Sequence, residues 1–159
     1  TFATDNSSGW ASIRSVVVEA DGVSGGHLKL HSGISTLAVR VRFAFDPSLP
    51  MPSIAFGIDT DGGVSVTSGS SLFDSAVAKD CGPGEGEIVL SFPNICLMKG
   101  SYRLSIYLAC ERTLHLYDHA SQCAVLDVTH NGNERGVCFL PRVWSGQSVI
   151  HAGGAVYRE

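Results

Sequence analysis

Hydrophobic and polar positions alternate without a slip over residues 36–45. Leu37, Val39, Val41, Phe43 and Phe45 fall on one side; Ala38, Arg40, Arg42 and Ala44 fall on the other. A period of two predicts a strand with one buried face. Burying those five side chains contributes at most about 7–15 kcal/mol, at about 1.5–3 each. The opposite side is a low cationic strip, two arginines set between alanines.

The same alternation recurs along the chain. It predicts strands over residues 11–20, 27–31, 53–59, 64–67, 87–92, 101–110, 114–118, 123–128 and 136–140. A phase shift near Val16 and Val17 predicts a bulge or burial on both faces. Asp21-Gly22, Thr60-Asp-Gly-Gly63 and His130-Asn-Gly-Asn133 are turn signals, and Pro47 and Pro50 close the strand that begins at residue 36. Residues 68–83 are weakly patterned; Leu72, Phe73, Ala76 and Val77 suggest a helical turn or a flap. Residues 119–122 are polar and predict a loop. Strands at hairpin spacing, with no intervening helices and no internal repeat, predict an all-β fold, a two-sheet antiparallel sandwich of Ig-like or jelly-roll type.

The 159-residue length favours one domain. Residues 1–9 read as a linker or flexible arm, with Trp10 anchoring entry to the first strand. Residues 10–144 form the sandwich, and residues 145–159 a C-terminal strand that a Ser145-Gly-Gln147 hinge can send to a partner chain. The polar start at Thr1, without Met, reads as the edge of a piece cut from a longer protein.

Charge narrows the function. The net charge of -4 argues against nucleic-acid binding, which calls for a basic excess. No apolar run reaches the roughly 18 residues of a membrane span. Five scattered cysteines without a Cys-x-x-Cys pair suit neither a disulfide framework nor a zinc site, and predict reduced thiols; Cys110 and Cys138 lie in apolar runs and read as small hydrophobes.

Catalytic patterns are sparse. There is no Walker loop and no Gly-x-Ser-x-Gly elbow. His115 and His119 are four apart, but at a strand end and a loop, a poor placement for metal ligands. Asp59, Asp61 and Asp118 are the acids best placed for hydrolysis, although Asp59 and Asp61 flank a turn that favours Asp on its own. No enzyme activity, cofactor or metal is expected.

The surface strips remain. Arg40 and Arg42 on one strand, and Arg103 and Tyr107 on the strand over residues 101–110, make a shallow patch if the two strands share a sheet. An aromatic ring covers the apolar side of a sugar, while arginine donors pair hydroxyls, a carboxylate or a phosphate. Tyr117, Arg142 and Trp144 extend the candidate set near strand ends. Ordinary solvated surface is the competing reading.

The order of several segments is similar to one known family. Phe56-Gly-Ile-Asp-Thr-Asp-Gly-Gly-Val-Ser-Val66, then Leu97-Met-Lys-Gly-Ser-Tyr-Arg-Leu-Ser105, then Leu116-Tyr-Asp118 and a strand ending at Val128 resemble the C-terminal domain of Wzt-type proteins. Gly9-Trp-Ala-Ser-Ile13 and Phe139-Leu-Pro-Arg-Val-Trp144 match its opening and closing elements, so the resemblance spans residues 9–144. The family consists of ATP-binding subunits of ABC transporters that export O-antigen polysaccharide.

The resemblance implies a carbohydrate-binding module that recognises the modified non-reducing end of the glycan. It also implies a homodimer by exchange of C-terminal strands. Within the full protein it implies an attached ATPase domain, a transporter membrane subunit as partner and a cytoplasmic position at the inner membrane. With several arginines among the candidates, an anionic terminal sugar is the expected ligand. The alternatives are an Ig-like structural or protein-interaction module, and a glycan hydrolase acting through Asp59 or Asp118.

Overall fold

In a computed structural model, which describes residues 10–142 and 145, the chain forms strands and turns; no helix occurs among the described residues. The strands are β1 (Ala11–Ala20), β2 (Val23–Ser24), β3 (His27–His31), β4 (Leu37–Phe45), β5 (Ser53–Thr60), β6 (Ser65–Ser70), β7 (Lys79–Gly82), β8 (Glu85–Phe92), β9 (Gly100–Ala109) and β10 (Leu116–Thr129). They form two five-stranded sheets, ordered β2-β1-β4-β8-β7 and β3-β10-β9-β5-β6. This is the expected sandwich with one departure: β3 pairs with β10 in parallel. The chain crosses from the first sheet to the second through Gly25 and Gly26, and nearly the whole domain then separates β3 from its neighbour. No hairpin connects that pair, so nothing forces it antiparallel.

The two central strands supply the core. Leu37, Val39, Val41 and Phe43 of β4 are at most 1% exposed. Tyr102, Leu104, Ile106 and Leu108 of β9, at most 2% exposed, line the second sheet. Phe45 is half-buried against Phe43, ring centroids 6.0 Å apart. Opposite Phe43 stands Gly86, where a Cβ would lie 2.4 Å from the ring. Only glycine leaves that ring its place.

A buried carboxylate ties the sheets together. Asp118 of β10, 1% exposed, accepts a hydrogen bond from the Ile13 N–H of β1 at 2.8 Å and another from the His119 N–H at 2.8 Å. Ile13 stands at the bulge in β1, which falls between Ile13 and Ser15, earlier than the predicted Val16–Val17 shift. Arg14 is the extra residue, and the bulge restores Val16 and Val18 to the inward phase of Ala11 and Ile13.

Three further expectations change. Residues 119–122 are not a loop: β10 runs through them, with a register shift between Ala120 and Ala124. Gln122 takes a φ of 46°, and its N–H donates to the Ser105 hydroxyl at 2.9 Å. Residues 136–140 form one bridge, Leu97 to Cys138, and not a strand. Cys138 is exposed, so the buried thiols are Cys110 and Cys123; all five are free. Burial pushes the Cys123 thiol up to about 11. Residues 71–78 carry the chain from β6 to β7 as a strap, with Phe73 and Val77 both 79% exposed.

Candidate binding face

The proposed patch of four side chains does not exist. β4 lies in the first sheet and β9 in the second, so Arg40 and Arg42 face away from Arg103 and Tyr107. Alternation reports which side chains point outward; it does not report which sheet they point from. Arg40 Nη1 lies 3.2 Å from Glu87 Oε1, and Arg42 Nε lies 2.5 Å from Glu87 Oε2. Glu87 stands opposite Arg42 on β8. The hydrogen bond from Arg42 holds the Glu87 carboxyl below its ordinary range and raises Arg42 in return.

The other candidates are dispersed. Tyr117 is half-buried against the core, and burial raises its phenol. Arg142 lies 3.4 Å from Glu134 and 5.1 Å from the centroid of the Phe139 ring, in the segment beyond β10. Trp144 lies outside the described residues, as do residues 1–9 and the C-terminal segment after Ser145. The cationic patch that suggested an anionic ligand is therefore absent.

Arg103 and Tyr107 do share a face, the outer face of the second sheet. Its registers place residues in rows across β5, β9, β10 and β3. One row is Ser101, Asp127 and Lys29, with Asp61 donating its N–H to the Ser101 carbonyl at 3.0 Å. The next is Asp59, Arg103, Val125 and His27. Gly57 pairs Ser105, and beyond them Ala55, Tyr107 and His119 form the last row. This order follows from the outward phase of each strand and from β9 standing in the middle of the sheet.

One end of the face is ionic. Arg103 Nη2 donates to Asp61 Oδ1 at 2.5 Å, while Nη1 is shielded from solvent with no hydrogen-bond partner among the described residues. Asp59 stands opposite Arg103 on β5. Asp127 bonds the His27 ring, and that bond, with help from Ser101 and the charge of Arg103, holds its carboxyl below the ordinary range.

The other end is aromatic. The Tyr107 and His119 rings stack at 19° with centroids 6.4 Å apart. Between the ends lie small residues. A Cβ at Gly57 would lie 3.8 Å from Tyr107 Cε2, an ordinary contact, so the Tyr107 ring borders Gly57, while Ser105 beside it is buried.

Sequence reading missed Asp127, His27, His119, Gly57 and Ser105. Asp127, His27, Gly57 and Ser105 stand in outward phase in their expected strands and His119 falls in the expected loop, but the β3–β10 pairing that brings His27 to Asp127 joins residues about a hundred positions apart. A concavity of about 380 Å³ opens between the sheets beside the 71–78 strap. Its wall is mainly apolar, with Val41, Ile54, Phe56, Ile88, Leu90 and Ile106, and Ser70, Ser71, Asp74, Lys79 and Glu87 also line it. Among the described residues, no three His, Cys, Asp or Glu side chains converge as a metal-binding group.

Comparison with known proteins places the fold. The profile of the family described as "Wzt C-terminal domain" matches residues 3–140. A solved structure described as "Crystal structure of the C-terminal domain of wzt" superposes with a TM-score of 0.70 at 17% identity, covering 91% of this chain and 86% of that one. A putative β-galactosidase from Bacteroides fragilis aligns at a TM-score of 0.45 and 16% identity, over 89% of this chain and 18% of that one. No curated protein sequence matches the chain.

Proposed function

Because this chain belongs to the Wzt C-terminal domain family, we propose that it is a non-catalytic carbohydrate-binding module. It recognises the modified non-reducing end of an O-antigen polysaccharide for export by an ABC transporter. The binding face is the outer face of the second sheet. One observation carries this assignment: an open face that joins a stacked Tyr107–His119 pair to hydrogen-bonding groups around Arg103. Aromatic rings take the apolar side of a sugar, and charged groups fix its hydroxyls with short, directional bonds.

The mechanism is recognition alone. Asp118, one of the acids considered for hydrolysis, is committed inside the core to two backbone amides. Asp61 is committed to Arg103. In this reading the domain works on the cytoplasmic side of the inner membrane, attached to an ATPase domain and docked with the transporter's membrane subunit. It forms a homodimer through residues 145–159, and light scattering showing only monomer at micromolar concentration would remove that part.

Titration calorimetry with matched polysaccharides, with and without the terminal modification, tests the function. Tighter binding of the modified chain is expected. Equal affinity for both would rule out end recognition, and no affinity for either would return the domain to a protein-interaction role.

A further inference from the structure

The binding face differs from an anion site in how its charges are set. Arg103 is the recessed partner of its ion pair: its side chain is 26% exposed, while that of Asp61 is 62% exposed. The Asp127 side chain, on β10, is 41% exposed. Asp59 stands in the row of Arg103, and Lys29 in the row of Asp127. Three carboxylates thus meet two permanent cations, Arg103 and Lys29, with His27 hydrogen-bonded to Asp127. An incoming phosphate or carboxylate would meet these acids first, and like charges at short range oppose binding.

The same groups suit hydroxyls. Ionised carboxylates accept strong hydrogen bonds from O–H donors. Arg103, its side chain 26% exposed, is the complementary donor.

Length adds a second constraint. Arg103 and Tyr107 are four residues apart on β9, which separates the ionic and aromatic ends by about 13 Å at roughly 3.3 Å per residue. A single sugar ring lying on Tyr107 ends well short of Arg103. Between them only Gly57 of β5 is partly exposed, beside the Tyr107 ring; Ser105 is buried at 3% exposure, its hydroxyl accepting from the Gln122 N–H.

Building on the carbohydrate-binding reading, we infer that this face holds an extended, uncharged stretch of glycan along β9. One sugar lies on Tyr107 and His119, the chain passes over Gly57, and hydroxyls of a further sugar bond Asp59, Asp127 and Arg103. The ligand class is a neutral oligosaccharide on the order of three residues long. The terminal modification read on this face is therefore an uncharged one.

The test uses the domain with neutral oligosaccharides of one to four residues, and the same sugars bearing a terminal phosphate, followed by amide NMR and calorimetry. Neutral three- and four-residue chains should bind at least about tenfold tighter than a single sugar, since each added charge-assisted hydrogen bond is worth roughly that factor or more. They should shift the amides of Gly57, Arg103, Ser105 and Tyr107 together.

Gly57→Val sets a branched side chain in the path over β5, where a Cβ alone meets Tyr107 Cε2 at an ordinary 3.8 Å, and should abolish long-chain binding with the folded spectrum retained. Asp59→Asn with Asp127→Asn should weaken the neutral chains and improve the phosphorylated ones. Two results would overturn the inference yet keep glycan binding: phosphorylated sugars binding best through Arg103, or single sugars binding as well as long ones. Unchanged binding in a folded Gly57→Val variant would also overturn it. Absence of binding by every sugar would remove the functional reading along with it.

Discussion

The two outer faces of the sandwich each carry arginine on a central strand, and they hold it in opposite ways. On the first sheet the carboxylate is the sheltered partner: the Glu87 side chain is 15% exposed, while those of Arg40 and Arg42 are 49% and 63% exposed. On the second sheet the arginine is sheltered and the carboxylates stand out. The first arrangement is closed, because two cations satisfy both oxygens of one acid. The second leaves an arginine donor unmatched and acids turned toward solvent, beside an aromatic pair. Outward-pointing arginine is thus not a signature by itself; what matters is which partner is recessed and what remains unpaired.

Asp118 offers the largest perturbation and serves as the reference for both faces, since it holds the sheets to each other. Asp118→Ala orphans the Ile13 and His119 amides. The expected loss is about 2–6 kcal/mol of folding stability, at about 1–3 per orphaned group. Urea denaturation reads it directly. Asp118→Asn, which keeps one carbonyl acceptor, should recover part of the loss. A variant as stable as the parent would mean that the tie between sheets is dispensable.

The faces themselves separate at the next level. Arg103→Ala should weaken glycan binding by about 10- to 100-fold, the range for a lost hydrogen bond to a charged group. Arg40→Ala with Arg42→Ala should leave binding unchanged and cost a small, salt-sensitive amount of stability. Calorimetry and thermal denaturation on both variants decide it. Lost binding in the Arg40/Arg42 variant, with Arg103→Ala silent, would move the site to the first sheet.

Much of this fold was legible in residue pattern, because burial of one strand face leaves a period of two in the sequence. The inner faces of β4 and β9 are as the alternation of Leu37 to Phe43 and Tyr102 to Leu108 predicts. What the pattern lacks is strand partnership. Nothing local to Arg40 or Arg103 tells that β4 and β9 end in different sheets, because a crossover far from either strand decides it. Polar composition at residues 119–122 similarly hid a continuous strand, since a bulge with one residue at positive φ looks like a loop in a one-dimensional reading. The binding face was only half legible for the same reason: Arg103 and Tyr107 share a strand, whereas His27 and Asp127 meet through a parallel pairing of distant segments.

The smallest expected effect is the most discriminating between the two faces, and it comes from acid. Glu87 is held below the usual carboxylate range chiefly by the Arg42 hydrogen bond, and Asp127 chiefly by the bond from His27. A carboxyl with a lowered folded pKa contributes stability that is present above its unfolded pKa and fades as pH falls through the folded value. Both faces should therefore lose a little stability on acidification below the ordinary carboxylate range. Arg42→Ala should flatten the part of that acid limb due to Glu87, and His27→Ala the part due to Asp127. On the second face the two readouts are linked: the carboxylate that titrates is also an acceptor for sugar. Neutral-glycan affinity should fall with pH together with the Asp127 contribution, while Arg42→Ala changes the stability limb and leaves affinity untouched. Chemical denaturation across pH, paired with calorimetry at the same values, measures both. Affinity that holds constant while Asp127 protonates would remove that carboxylate from the binding face.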